Sequence, residues 1–128
     1  MTDRMTTLLI ALMLLLQADA PKKGGNPDAA KIKNPVAATP DSVAAGKRIY
    51  QRLCTKCHGP EGKGDGEAAT GAQPSDLTAA LQYGGSDGEM FSVLRHGTSR
   101  DMESYAERIS EADTWNVINY VNTLRTKR

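Results

Sequence analysis

Aromatic residues are scarce in this chain, at 5% of 128 residues with a single Trp and a single Phe, and the apolar share is 39%. That is a thin core for a chain with room for one small domain, and small thin-cored domains commonly need a staple or a cofactor. No apolar run is long enough to cross a bilayer, which takes about 20 residues. No charge of either sign dominates: 16 basic residues face 15 acidic ones. That balance points to neither nucleic acid nor a strongly bound membrane surface. Nor does any segment alternate with period two, so strands are not expected, and there is no internal repeat.

What is present begins with a leader. Arg4 precedes an apolar run from Leu8 to Leu16, and Ala18-Asp19-Ala20 has the small-x-small form of a cleavage site. Residues 1–20 therefore read as a secretion signal, and the expected location is the periplasm. Pro21 after the cut disfavours the peptidase, which leaves an uncleaved anchor as the alternative and, with it, a membrane tether. No lipobox cysteine is present. Residues 21–38, rich in Pro, Gly, Ala and Lys and without apolar periodicity, read as a flexible linker or disordered arm.

The folded domain is expected over 39–128. Thr39-Pro40-Asp41 is a helix start: a capping threonine, proline at the first helical position, and an acid against the dipole. Val43, Gly46, Ile49, Tyr50 and Leu53 follow at helical spacing and lead into Cys54. Gly59 to Gly66 is glycine-rich and predicts loop. A short helical turn is expected around Leu77 to Leu81. Ser86-x-x-Glu89 forms a capping-box pattern for a helix with Met90, Val93 and Leu94 on one face, ending at Gly97. Ser110-x-x-Asp113 opens a last helix with Trp115, Ile118, Val121 and Leu124 in a stripe flanked by Val117 and Tyr120. The expected class is all-α.

Cys54-Thr55-Lys56-Cys57-His58 carries the chemistry. Cysteines at i and i+3 and a histidine at i+4 share one face of a helical turn. Two thiols so placed can add to the vinyl groups of one haem while the imidazole stands under the iron; C-x-x-C-H is the sign of c-type attachment. Taken alone, the pentapeptide also admits a disulfide or a thioredoxin-like redox pair, although that reading expects βαβ flanks. A zinc site would need a second pair of ligands, and the only other histidine is His96. Gly62-Lys63-Gly64 lacks the Ser or Thr of a phosphate loop, and Asp65-Gly66 lacks an EF-hand's ligand ladder.

The surrounding pattern resembles the class I cytochrome c family, closest to its small bacterial monohaem members. Gly46-x-x-x-Tyr50-x-x-x-Cys54 is similar to the family's first helix. His58-Gly59, Gly62 and Gly64-Asp65-Gly66 are similar to the segment after the attachment motif. Pro74-Ser75-Asp76-Leu77 resembles the stretch lining the haem edge on the histidine side. Gly97-Thr98 with Met102 resembles the loop bringing the sixth ligand, and Trp115 to Leu124 the final helix. The resemblance covers about residues 40–126. It implies a cytochrome c fold around one covalent haem c, bound through Cys54 and Cys57, with His58 and Met102 as axial ligands. It also implies that the Pro74 carbonyl accepts a hydrogen bond from His58, and that the glycines let the backbone pass close to the haem edge.

The implied function is one-electron carriage, not enzyme catalysis, between partners such as a membrane respiratory complex, a terminal oxidase or a periplasmic dehydrogenase. The rival enzyme reading, peroxidase-like chemistry at an iron that Met102 has left, lacks an obvious distal acid or base. Met90 reads as core from its helical spacing, whereas Met102 sits in a polar loop where an apolar side chain has no local reason to be. His96 falls near a helix C-terminus, where the dipole explains it. Tyr50, Trp115 and Tyr120 read as core at the crossing of first and last helices, and Arg48, Arg52, Lys56 and Lys63 as solvated charge. One departure stands out: the family's ligand methionine is often followed by proline, and here Glu103 follows. A looser ligand loop and a lower reduction potential are expected from it. Glu103→Pro should therefore raise the midpoint potential and slow methionine dissociation from iron, and a variant unchanged in both would remove the basis for this expectation.

Overall fold

The computed structural model describes residues 26–69, 73–98 and 102–125; the expected leader lies outside them. Among the described residues there are helices and turns but no strand. The main elements are α1 (Pro40–Leu53), the single turn α2 (Thr55–His58), α3 (Asp87–His96) and α4 (Glu111–Arg125), preceded by a short 3-10 helix, Pro27–Lys31.

Each long helix starts where side-chain chemistry can satisfy its free amides. Thr39 accepts from the Ser42 amide at 3.2 Å, with Pro40 in the first turn. Ser86 and Glu89 form the reciprocal capping box of α3: the Ser86 hydroxyl accepts from the Glu89 amide, and the Glu89 carboxylate accepts from the Ser86 amide. The Asp113 amide donates to the Ser110 hydroxyl at 3.1 Å at the start of α4. α3 stops at Gly97, whose φ of 74° few other residues tolerate.

α4 is the central element. Trp115, Ile118 and Val121 are buried as the stripe requires, and so are Thr114, Val117, Asn119 and Tyr120, so most of its circumference is covered. α1 crosses it at Gly46. A Cβ there would strike the Asn116 carbonyl, so hydrogen is the only side chain that fits without a backbone shift. The close approach sets the Tyr50 and Tyr120 rings 5.2 Å apart, tilted by 58°. Phe91 of α3 stacks on Trp115 with centroids 4.1 Å apart and planes 11° from parallel.

Two expectations differ from the structure. Around Leu77 there is a tight turn rather than a helical one: Asp76 accepts from the Thr78 amide at 2.8 Å and from the Ala79 amide at 3.2 Å. A side chain that bonds its own backbone competes with helix, which is the reason. The second concerns the arm. Over 26–38, the described part of 21–38, it is packed on the domain and not free. Ala29 is buried, and α3 carries Gly88 where any Cβ would strike the Ala29 carbonyl. Asn34 donates to Asp87 at 3.0 Å and to Asn119 at 2.8 Å. Asn119 in turn donates to the Val36 carbonyl at 3.1 Å and to Ser42 at 2.9 Å, and Asn122 donates to Asp87 at 2.9 Å. Polar side chains hold this arm, so a search for apolar periodicity passes over it.

Asn119→Ala should remove the centre of that clasp and leave buried partners unpaired, at a cost of about 1–3 kcal/mol. Denaturant unfolding measures it, and an unchanged midpoint would show that the arm contributes nothing to stability.

Candidate haem site

α1 delivers Cys54 at its end, and the chain continues into α2 with the same bonding pattern: the Cys54 amide donates to the Tyr50 carbonyl at 2.8 Å, and the His58 amide to the Cys54 carbonyl at 2.9 Å. Cys54, Cys57 and His58 are thus carried on one helical stretch. Both cysteines are free thiols, Cys54 half-buried and Cys57 exposed. Burial pushes the Cys54 thiol up to about 11, with the Arg108 guanidinium drawing it down against that trend.

All three face a cavity of about 620 Å³, within the range of about 300–1,000 Å³ in which small-molecule and cofactor sites fall. Its walls are largely apolar: Met90, Val93 and Leu94 come from α3, and Val117, Ile118 and Val121 from α4. Pro74, Leu77 and Leu81 close it from the segment after the glycine loop, and Met102 lines it too. Met90 therefore serves both core and cavity wall. His96 is half-buried and is not among the lining residues.

His58 Nδ1 lies 3.0 Å from the carbonyl oxygen of Ser75, not that of Pro74. This corrects the expected partner by one residue. The Pro74 carbonyl is instead turned to the glycine loop, where a Cβ on Gly64 would strike it, while Pro74 itself still lines the cavity. A carbonyl only accepts, so Nδ1 must carry the proton and Nε2 the lone pair a metal needs. Burial lowers the His58 pKa, with the Ser75 bond opposing it in part, so the neutral ring is favoured.

The glycine loop differs from expectation as well. None of Gly59, Gly62, Gly64 and Gly66 lines the cavity. They wrap the back of the attachment turn: the Gly64 amide donates to the His58 carbonyl at 2.8 Å and the Gly66 amide to the Cys57 carbonyl at 3.1 Å, and a Cβ on Gly66 would strike the Lys56 carbonyl. These bonds satisfy carbonyls that the end of a helix leaves free. Tyr50, expected only as core, has a second part. It lines the cavity, and its buried hydroxyl donates to the Gly59 carbonyl at 2.6 Å, tying α1 to the loop behind His58. Burial keeps this phenol neutral by raising its pKa. Nothing in the sequence separates this role from core packing.

Met102 is held through its backbone. Its amide donates to the Thr98 hydroxyl at 3.2 Å and its carbonyl accepts from the Thr98 amide at 2.9 Å. Further on, the Ser104 hydroxyl donates to the Arg95 carbonyl at 2.7 Å and the Tyr105 amide to the Leu94 carbonyl at 2.8 Å. The loop is laced to the end of α3 just after the methionine.

The donor set fits a haem and not a bare ion. Among the described residues no group of three or more His, Cys, Asp or Glu could hold a metal by itself. One imidazole and one thioether suit iron that is already held in a macrocycle. Two thiols beside an apolar-walled cavity suit covalent attachment of that macrocycle.

Comparison with known proteins agrees. The family model described as cytochrome c oxidase, cbb3-type, subunit III, matches residues 41–121. The cbb3-type cytochrome c oxidase subunit CcoP of Azospirillum sp. (strain B510) is 30% identical over 94 residues, which cover 71% of this chain and 31% of that protein. The chain thus spans about a third of the length of that relative. Among solved structures, the Kuenenia stuttgartiensis reducing HAO-like protein complex contains a chain that is 30% identical with a TM-score of 0.64, covering 73% of this chain and 49% of that one. Cytochrome cL from Methylophaga aminisulfidivorans is similar in fold, with 17% identity, a TM-score of 0.60 and coverage of 84% and 74%. Cytochrome cL from Hyphomicrobium denitrificans matches at 20% identity and a TM-score of 0.59, with coverage of 80% and 62%. The helical architecture is a cytochrome c fold.

Proposed function

The chain belongs to the cytochrome c oxidase, cbb3-type, subunit III family, whose cytochrome c character implies a covalently bound haem c, and from that premise we propose that it is a monohaem electron carrier with His58 and Met102 as axial ligands. The observation that carries this reading is that Cys54, Cys57, His58 and Met102 all line one apolar-walled cavity. On this reading the chain carries electrons and is not itself an enzyme, which its membership of a cytochrome c family supports.

Bound there, haem supplies a one-electron couple between Fe(III) and Fe(II). The chain's own residues do the rest. Cys54 and Cys57 make attachment permanent, which suits a small domain that would otherwise lose its cofactor. His58, with Nδ1 committed to Ser75, presents Nε2 in a fixed ring orientation. The Met102 thioether favours the reduced iron and raises the potential relative to a second imidazole. Were His58 and Met102 both to hold the iron, no position would remain for a substrate, which argues against peroxidase-like chemistry. The apolar walls from α3 and α4 exclude water and lower the local dielectric.

The partner is a respiratory terminal oxidase complex, by analogy with the CcoP relative, a subunit of a cbb3-type cytochrome c oxidase. The chain is exported to the periplasm by its leader, with Pro21 leaving open an uncleaved tether. No helix among the described residues is long and apolar enough to cross a membrane.

Met102→Ala should abolish the weak far-red absorption of Met–Fe(III) ligation and let the reduced protein bind carbon monoxide at neutral pH, where the parent does not. A variant that keeps the far-red band would remove Met102 from the ligand set.

A further inference from the structure

The carboxylate that follows Met102 does not stand alone. Glu103 Oε1 lies 2.9 Å from Arg108 Nη1. The guanidinium carbon of Arg108 sits 5.1 Å from the centroid of the Tyr105 ring, over its face. Glu103 and Tyr105 both line the cavity that Met102 lines. Arg108 is anchored at its backbone, where its amide donates to the Tyr105 carbonyl at 2.9 Å. One cation thus engages the residue directly after Met102 and a second residue of the same loop.

We propose that Arg108 is a positioning residue for Met102. Through Glu103 and Tyr105 it holds the ligand loop closed and offsets the charge that Glu103 brings beside the haem. This inference rests on the His58/Met102 reading of the site. The bonds of Ser104 and Tyr105 fasten the loop to the end of α3, and those of Thr98 hold the Met102 backbone; all are between uncharged groups. The Arg108 contacts act on side chains and carry charge, which gives them a distinct signature. Both side chains are well exposed, 46% for Arg108 and 67% for Glu103. The bridge is therefore modest and sensitive to salt, so its loss should change the loop's opening rate about two- to fivefold.

The test uses the haem-loaded ferric protein, with imidazole as the probe that displaces Met102, and four forms: the parent, Arg108→Gln, Glu103→Gln and the double variant. Arg108→Gln is expected to speed displacement about two- to fivefold at low ionic strength and to lower the midpoint potential, because Glu103 is then uncompensated. In the Glu103→Gln background the same substitution should have a clearly smaller effect on both, because only the Tyr105 contact and the unpaired cation are then lost. No change on Arg108→Gln, or an equal change with and without Glu103, overturns the proposal. If Arg108→Gln does not fold, a salt titration carries the same test. Displacement should accelerate with salt in the parent and not in Glu103→Gln, and equal slopes overturn the proposal. A parent protein without the far-red methionine band would overturn the His/Met reading itself, whereas a band without coupling between Glu103 and Arg108 would overturn only the role of Arg108.

Discussion

The contact on which the rest depends is the crossing of α1 over α4 at Gly46, where the backbone of one helix meets the Asn116 carbonyl of the other. Because no side chain intervenes, the two axes approach closely, and everything beyond the crossing on α1 is placed by it. Tyr50, one turn further along, packs on Tyr120 and reaches the Gly59 carbonyl. Cys54, another turn on, begins the attachment motif at the cavity edge. A bulkier residue at Gly46 would tilt α1 and move both thiols and His58 relative to the α4 wall. Overpacking against backbone costs about 1–3 kcal/mol, and here the displacement would fall on the site as well as on the core.

The site then divides between two kinds of support. The histidine side is rigid, with His58 held by Ser75, its carbonyl and that of Cys57 occupied by the glycine loop, and that loop tied back by Tyr50. The methionine side is a loop laced to the end of α3 by hydrogen bonds and, through Glu103, to Arg108. α3 is in turn held from outside by the arm at Gly88 and Asp87. Placement of the thioether therefore depends on contacts that reach back to Asn34 and Asn119. An electron carrier gains from such support, since fixed ligands and excluded water leave little to rearrange when the charge on iron changes.

Much of this was legible in the sequence, for identifiable reasons. Thr39, Ser86 and Ser110 announce helices because capping is local chemistry, and the apolar spacing of Trp115, Ile118 and Val121 marks a buried face for the same reason. The resemblance in ordered motifs singled out Met102 together with the attachment turn, and Met102 lines the same cavity as His58, 44 positions away. The rest was hidden because it depends on tertiary contact. The arm is held by Asn34 and Asn119, with Asn122 fixing the Asp87 that Asn34 bonds, and these amides look like solvated residues until their partners are known. The bond from His58 falls on Ser75 and not Pro74, a difference of one peptide that no pattern of residue types encodes. The glycines serve the back of the attachment turn, since their role is set by which carbonyls they approach. Arg108, five residues from Glu103, became meaningful only once the loop folded back on itself.

The central claim, that Cys54 and Cys57 hold one haem covalently beside His58, is tested most directly by mass spectrometry of the protein isolated from the periplasm of cells that attach haem. The account predicts that the intact chain, and the peptide containing Cys54 to His58, are each heavier by one haem that survives denaturation. A peptide of unmodified mass, or one lighter by two hydrogen atoms through a Cys54–Cys57 disulfide, would contradict it.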